Sequence, residues 1–143
     1  MSVSSTIEGL KKYLLTYMEL ETDAPVWVGY LGAIPTQYSI FPMPGDKIIE
    51  TYVDGSSLRE FPFSFQSVES TSDELTRMDS IGFFEEFGQW LEDQSNLGVL
   101  PELPTGKTAV EIKATNWGFL YEQGQSDSGI YQISAKLIFE QQP

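Results

Sequence analysis

Between Ile130 and Glu140 the side chains alternate: Tyr131, Ile133, Ala135, Leu137 and Phe139 are apolar, and Gln132, Ser134, Lys136 and Glu140 among them are polar. A period of two held over that length is the pattern of a β-strand with one face in a core and the other toward water. Ile130 and Ile138 interrupt the polar face, which predicts that this face is partly covered. A fold for this chain must therefore give the strand a sheet to lie in and an apolar layer to cover it.

The rest of the chain supplies both. Residues 110–122 read as the hairpin partner of that strand, joined to it through Gln123-Gly124-Gln125-Ser126-Asp127-Ser128-Gly129. Upstream, residues 26–31, 37–43, 47–53 and 58–69 form four β-type runs broken at 32–35, at Pro44-Gly45 and at Asp54-Gly55. The second and third are predicted to pair across the short turn Pro44-Gly45-Asp46. In the fourth, Phe61, Phe63 and Phe65 share one face and Glu60, Ser64 and Gln66 the other, and the phenylalanines read as sheet core rather than as a ligand platform. Pro62 has no amide to donate, so this strand is expected to start at a sheet edge or to bulge there.

Two segments have helical character. Over residues 5–20, Val3, Ile7, Leu10, Tyr13, Leu14, Tyr17 and Met18 fall within about 140° of arc, with Leu15 the one exception. Ser4 or Ser5 is placed to cap this helix, with Glu8 as capping-box partner. Residues 71–96 form the second, opened by Thr71 or Ser72 ahead of Asp73 and Glu74. There Leu75, Met78 and Ile81 point one way and Phe83, Phe84, Phe87, Trp90 and Leu91 another, which predicts a break near residues 80–82. Residues 97–107, with two prolines and two glycines, read as a surface connector. The whole predicts one α+β domain over residues 1–143: a mainly antiparallel sheet with an N-terminal and a central helix on one face.

Composition decides the chemistry. The chain has 143 residues and neither His nor Cys. A fold of this mass exposes about 7,400 Å² and has room for one core. Without Cys or His there is no disulfide, no thiolate, no imidazole base and no ordinary zinc site, so nucleophilic triads are excluded. Against 21 Asp plus Glu stand 8 Lys plus Arg, a net charge of −13. The scattered cations make no basic stripe, so specific nucleic-acid binding and anionic membrane surfaces are disfavoured as partners. No apolar stretch approaches the ~20 residues of a spanning helix, and the N-terminus is not patterned as a signal peptide.

Other motifs fall short. Leu103-Pro104-Thr105-Gly106-Lys107-Thr108 ends like a phosphate loop, but the position that needs glycine is Pro101. Gly124 and Gly129 flank a loop whose one acid is Asp127, too few oxygens for calcium. Glu85 with Glu86, Glu92 with Asp93 and Asp73 with Glu74 could form acid–base pairs, yet each sits where a solvated helix face is expected. Asp54-Gly55-Ser56-Ser57 is a turn rather than a nucleophile elbow. No catalytic, cofactor-binding or metal-ligating residue is nominated.

The stretches PVWVGYLG, QYSIFPMPGDKIIETYVDGSSLREFPFSFQS, GFFEEFGQWLE and ATNWGFLYEQGQSDSGIYQISAKLIFEQ, together with the N-terminal helix, resemble a prophage-encoded family of Gram-positive bacteria. The family is that of the minor capsid or tail-terminator proteins of long-tailed phages. Some relatives carry a chloramphenicol-resistance label, whose acetyltransferase reaction needs a catalytic His that this chain lacks. The resemblance implies a tail-terminator-like α+β domain and a structural, non-enzymatic role: a homo-oligomeric ring, typically of six, that closes the tail tube and meets the head-tail connector. Its implied location is the bacterial cytoplasm during assembly and then the tail or neck of the virion. Six copies at −13 each carry −78, and an acidic channel would let DNA pass without binding. The turn at residues 54–59, the connector at 97–107 or the hairpin tip at 123–129 is the expected subunit contact, and Arg59 beside Glu60 reads as solvated surface charge ahead of an intersubunit pair. Two other readings stand beside this one: a monomeric acidic binding module, such as a DNA mimic that inhibits a host protein, and an enzyme working with carboxylates alone in a deep pocket.

Overall fold

The structure, a computed structural model, describes residues 3–45, 47–124 and 127–143. The elements run α1 (Thr6–Leu14), β1 (Val26–Val28), β2 (Gln37–Pro42), β3 (Ile48–Thr51), β4 (Ser57–Ser70), α2 (Glu74–Leu97), β5 (Lys107–Ala114), β6 (Phe119–Gln123) and β7 (Ser128–Gln141). They form a mixed α+β fold with one open, mostly antiparallel seven-stranded sheet and two helices.

The alternating segment is indeed the spine of the sheet. β7 pairs with β4 along the full 14 residues of both, from Ser57 opposite Gln141 to Ser70 opposite Ser128. β2 and β3 flank the outer side of β4, β5 and β6 the outer side of β7, and β1 lies parallel to β2 at the margin. Opposed residues share a face, so Phe63 with Ala135, Phe65 with Ile133 and Ile112 with Leu137 build one apolar layer. Leu10 and Leu14 of α1 and Phe84, Phe87 and Leu91 of α2 cover that layer, each at most 1 % exposed. Aromatic rings close the joint: Tyr17 lies 5.4 Å from Phe87 and 4.9 Å from Trp90, and Phe65 stacks on Phe87 at 4.7 Å. Such pairs contribute about 0.5–1.5 kcal/mol each beyond their burial.

Several elements depart from expectation, each for a local reason. α1 stops at Leu14 instead of reaching residue 20, because the amides of Thr16 and Tyr17 turn back to the carbonyls of Tyr13 and Leu14 and the Thr16 hydroxyl adds a third bond to Tyr13. Its start agrees: Ser5 accepts the Glu8 amide at 3.2 Å, while the Glu8 carboxylate accepts from the amide and hydroxyl of Ser4, both at 2.7 Å. Tyr17 still reaches the core, but Met18 is 90 % exposed.

α2 is one continuous helix, without the break expected at 80–82, and its cap is Asp73 rather than Thr71 or Ser72. The two apolar stripes need no break because only the second is buried; Leu75, Met78 and Ile81 face solvent. β2 and β3 do not pair with each other. Both lie end to end along β4 in the same sense, so the chain does not reverse between them, and Asp46 of the expected turn lies outside the described residues. Pro62 is internal to the sheet, not at an edge. Its carbonyl accepts the Met43 amide at 2.9 Å, which aims its missing donor toward the end of β2.

The hairpin partner 110–122 is split into β5 and β6 by residues 115–118. Asn116 reaches across with its side-chain oxygen to the Ser134 amide at 2.9 Å, and Gly118 lies so close to Phe84 that a Cβ there would sit 2.2 Å from it. Residues 97–107 do not simply run over the surface. Pro101 and Leu103 are buried, and Tyr13 donates its hydroxyl to the Val99 carbonyl at 2.8 Å, strapping the connector over α1.

Candidate interaction surface

Every residue of β3 and every residue of β6 is exposed, which is true of no other strand among the described residues. Both are sheet margins, β3 beside β4 and β6 beside β7. Backbone N–H and C=O groups on such margins are unpaired and can template another strand. The side chains there are apolar out of proportion: Ile48 and Ile49 on β3, Tyr52 and Val53 just beyond it, and Phe119, Leu120 and Tyr121 on β6.

The turn between β3 and β4 is held rigidly. Tyr52 donates its amide to the Ser56 carbonyl at 2.8 Å, and the Asp54 carboxylate accepts the Ser56 amide at 2.9 Å and its hydroxyl at 2.5 Å. The Ser56 bonds hold the Asp54 carboxyl below its usual value. Gly55, at φ 91°, takes the left-handed corner that other residues avoid. The consequence is that Val53 is presented at the tip with no cover at all.

β5, the other margin beside β7, is treated differently. Ser95 of α2 donates its hydroxyl to the Ile112 carbonyl at 2.6 Å and accepts the Ile112 amide at 2.9 Å. One side chain thus occupies the edge position a neighbouring strand would use. Beyond it, α2 and β5 border an open groove of about 700 Å³. Phe84, Ile112 and Ile133 line it, Glu85, Glu92, Glu111 and Lys113 stand around it, and Trp117 is 75 % exposed at its end.

Of the acids singled out by sequence, Glu85, Glu86 and Glu92 border the groove between α2 and β5, and the others are dispersed over the surface. Asp73 caps α2 through the Thr76 amide at 2.8 Å, which lowers its pKa. Glu92 and Asp93 both accept from the Gln89 side chain, at 3.0 and 2.9 Å. Arg59 and Glu60 act within the chain: Arg59 donates to the Ser57 hydroxyl at 2.9 Å and Glu60 pairs with Lys136 at 3.3 Å. Lys107 serves α1 and the core, donating to the Thr6 hydroxyl at 3.3 Å and lying 5.5 Å from the centre of the Phe139 ring. Its ammonium is committed to that contact rather than to a phosphate. At the 123–129 tip, Gln125 and Ser126 lie outside the described residues, and Gln123 ties the base by donating to Thr71 at 3.0 Å and to the Ser128 carbonyl at 2.8 Å.

Sequence reasoning missed one carboxylate. Glu69 is partly withdrawn from water behind Thr36, which donates to it at 2.9 Å, and this burial raises its pKa despite the hydrogen bond. Among the described residues no three acids converge as a metal site requires, and no helix is long and apolar enough to cross a membrane. Comparison with models of known protein families finds no match, and comparison with curated proteins finds none.

Proposed function

We propose that this chain is a phage structural protein, a tail terminator or head-tail joining protein that assembles with itself into a ring at the end of the tail tube. The observation that carries the reading is the placement of its apolar surface. Ile48, Ile49 and Val53 on one margin of the sheet and Phe119, Leu120 and Tyr121 on the other lie on strands and a turn, not in a cleft. Clefts serve small ligands; paired margins serve other chains.

The extent of the surface points the same way. The chain exposes 8239 Å². That is somewhat above the value of about 7,400 Å² for a compact monomer of its mass. The family resemblance supplies the partners, the tail-tube protein and the head-tail connector, and the virion as the final location. The acidity, −13 per copy, fits a wall past which DNA slides. No dedicated enzyme chemistry enters this reading.

Electron microscopy of tails decorated with an antibody against the chain tests the proposal. Label confined to the tail end that joins the head supports it; label on heads alone, or on no particle, refutes it.

A further inference from the structure

The two bare margins have the right polarity to join each other. β3 runs antiparallel to β4, β4 to β7 and β7 to β6, so β3 and β6 run in opposite senses within one sheet. A rotation about an axis inclined to the strands by less than a right angle keeps their up-and-down order, so β3 of one copy can meet β6 of the next as an antiparallel pair. We propose that this is the subunit joint: β3 of each copy adds to β6 of its neighbour and continues the sheet from one subunit to the next. The inference deepens the ring reading and rests on it for the oligomer's existence.

Charge and polarity select the register. With Lys47 opposite Glu122 of the next copy, Glu50 falls opposite Phe119, and the irregular spans between them, Ile48–Ile49 and Leu120–Tyr121, face each other. That sets one cation on one anion and an apolar span on an apolar one, with Glu50 beside an aromatic ring. A two-fold joint of β3 with β3 is the competing arrangement, and cross-linking of Ile49→Cys alone distinguishes the two. β5 is not available as the acceptor, since Ser95 already fills its edge at Ile112. β3 flanks β4 at residues 57–59 and β6 flanks β7 at 129–132, which pairs with β4 at 66–69. The joint therefore steps by about 30 Å along the strands and inclines them steeply to the ring axis.

The absence of native cysteine makes the test direct. The full chain carrying both Ile49→Cys and Leu120→Cys is oxidised at millimolar concentration and, separately, in purified phage particles. Both positions are exposed, and retained far-ultraviolet circular dichroism confirms folding. The double variant is expected to give a ladder of disulfide-linked multimers, and an equal mixture of the two single variants to give dimers only. Reversing Lys47→Glu or Glu122→Lys alone is expected to weaken association about threefold, and combining them to restore it. Within one chain these residues lie on opposite margins, so restoration reports contact between copies.

Dimers from Ile49→Cys alone, as abundant as from the mixture, would replace this joint with a β3–β3 one. Particles that carry the double variant but yield no cross-link would overturn the joint and leave the tail-end role standing. A ladder in solution, from a chain absent from tail ends, would keep the joint and overturn that role.

Discussion

Ser95 and Ile112 exchange two hydrogen bonds, hydroxyl to carbonyl at 2.6 Å and amide to hydroxyl at 2.9 Å. A single side chain on α2 thereby closes the edge of β5 and ties the long helix to the sheet. Replacing it with alanine leaves both Ile112 groups unpaired beside a helix. Ser95→Ala is expected to cost about 1–3 kcal/mol in urea unfolding; a loss below about 0.3 kcal/mol would mean water replaces the hydroxyl.

Gly9 is the contact point between α1 and the connector. A Cβ there would lie 2.0 Å from the Glu102 carbonyl oxygen, a backbone atom that cannot swing aside. Gly9→Ala is therefore expected to destabilise by about 2 kcal/mol or more, against the small gain alanine brings to an open helix. Thermal unfolding decides the sign.

Tyr17 carries a buried hydroxyl with no hydrogen-bond partner, amid Phe83, Phe87 and Trp90. Burial pushes its phenol pKa upward. Removing that oxygen takes away an unpaid desolvation cost and keeps the ring, so Tyr17→Phe is expected to stabilise the chain by about 1 kcal/mol. A loss of stability in chemical denaturation would show that the hydroxyl has a partner in solution.

Two carboxyls give opposite pH dependences. Glu69 has a folded pKa above its ordinary 4.5, so its neutral form favours folding and that contribution fades as pH rises through the folded value. Asp73 has a folded pKa below its ordinary 3.8, so its contribution is present above that value and is lost as pH falls through the folded one. Glu69→Gln, which keeps an oxygen for Thr36, is expected to raise the melting temperature at neutral pH and to flatten its slope through the mildly acidic range. Asp73→Ala is expected to lower the melting temperature at neutral pH through the lost cap, and much less in strong acid.

The core of this fold was legible because its signal is periodic. Tyr131 to Phe139 and Phe61 to Phe65 announced two strands, and the Ser5–Glu8 cap announced α1, since each pattern repeats at the spacing of its element. What failed were the places where exposed apolar residues imitate burial. Leu75, Met78 and Ile81 looked like a second core stripe and were read as a helix break. Pro44-Gly45 looked like a reversal, because sequence alone does not reveal that β4 is long enough to hold β2 and β3 end to end. The surface was half legible: the 54–59 turn pointed near the β3 margin, but β6 was hidden inside a longer expected strand. Asn116-Trp117-Gly118, a polar and glycine interruption, was the signal that could have separated it.

If the chain closes the tail so that a head can join it, deleting its gene from an inducible prophage leaves the two structures apart. Electron microscopy of the induced lysate is expected to show complete heads and tails that remain unjoined, with infectivity restored when the chain is supplied from a plasmid. Joined, full-length infectious particles made without it would contradict the account.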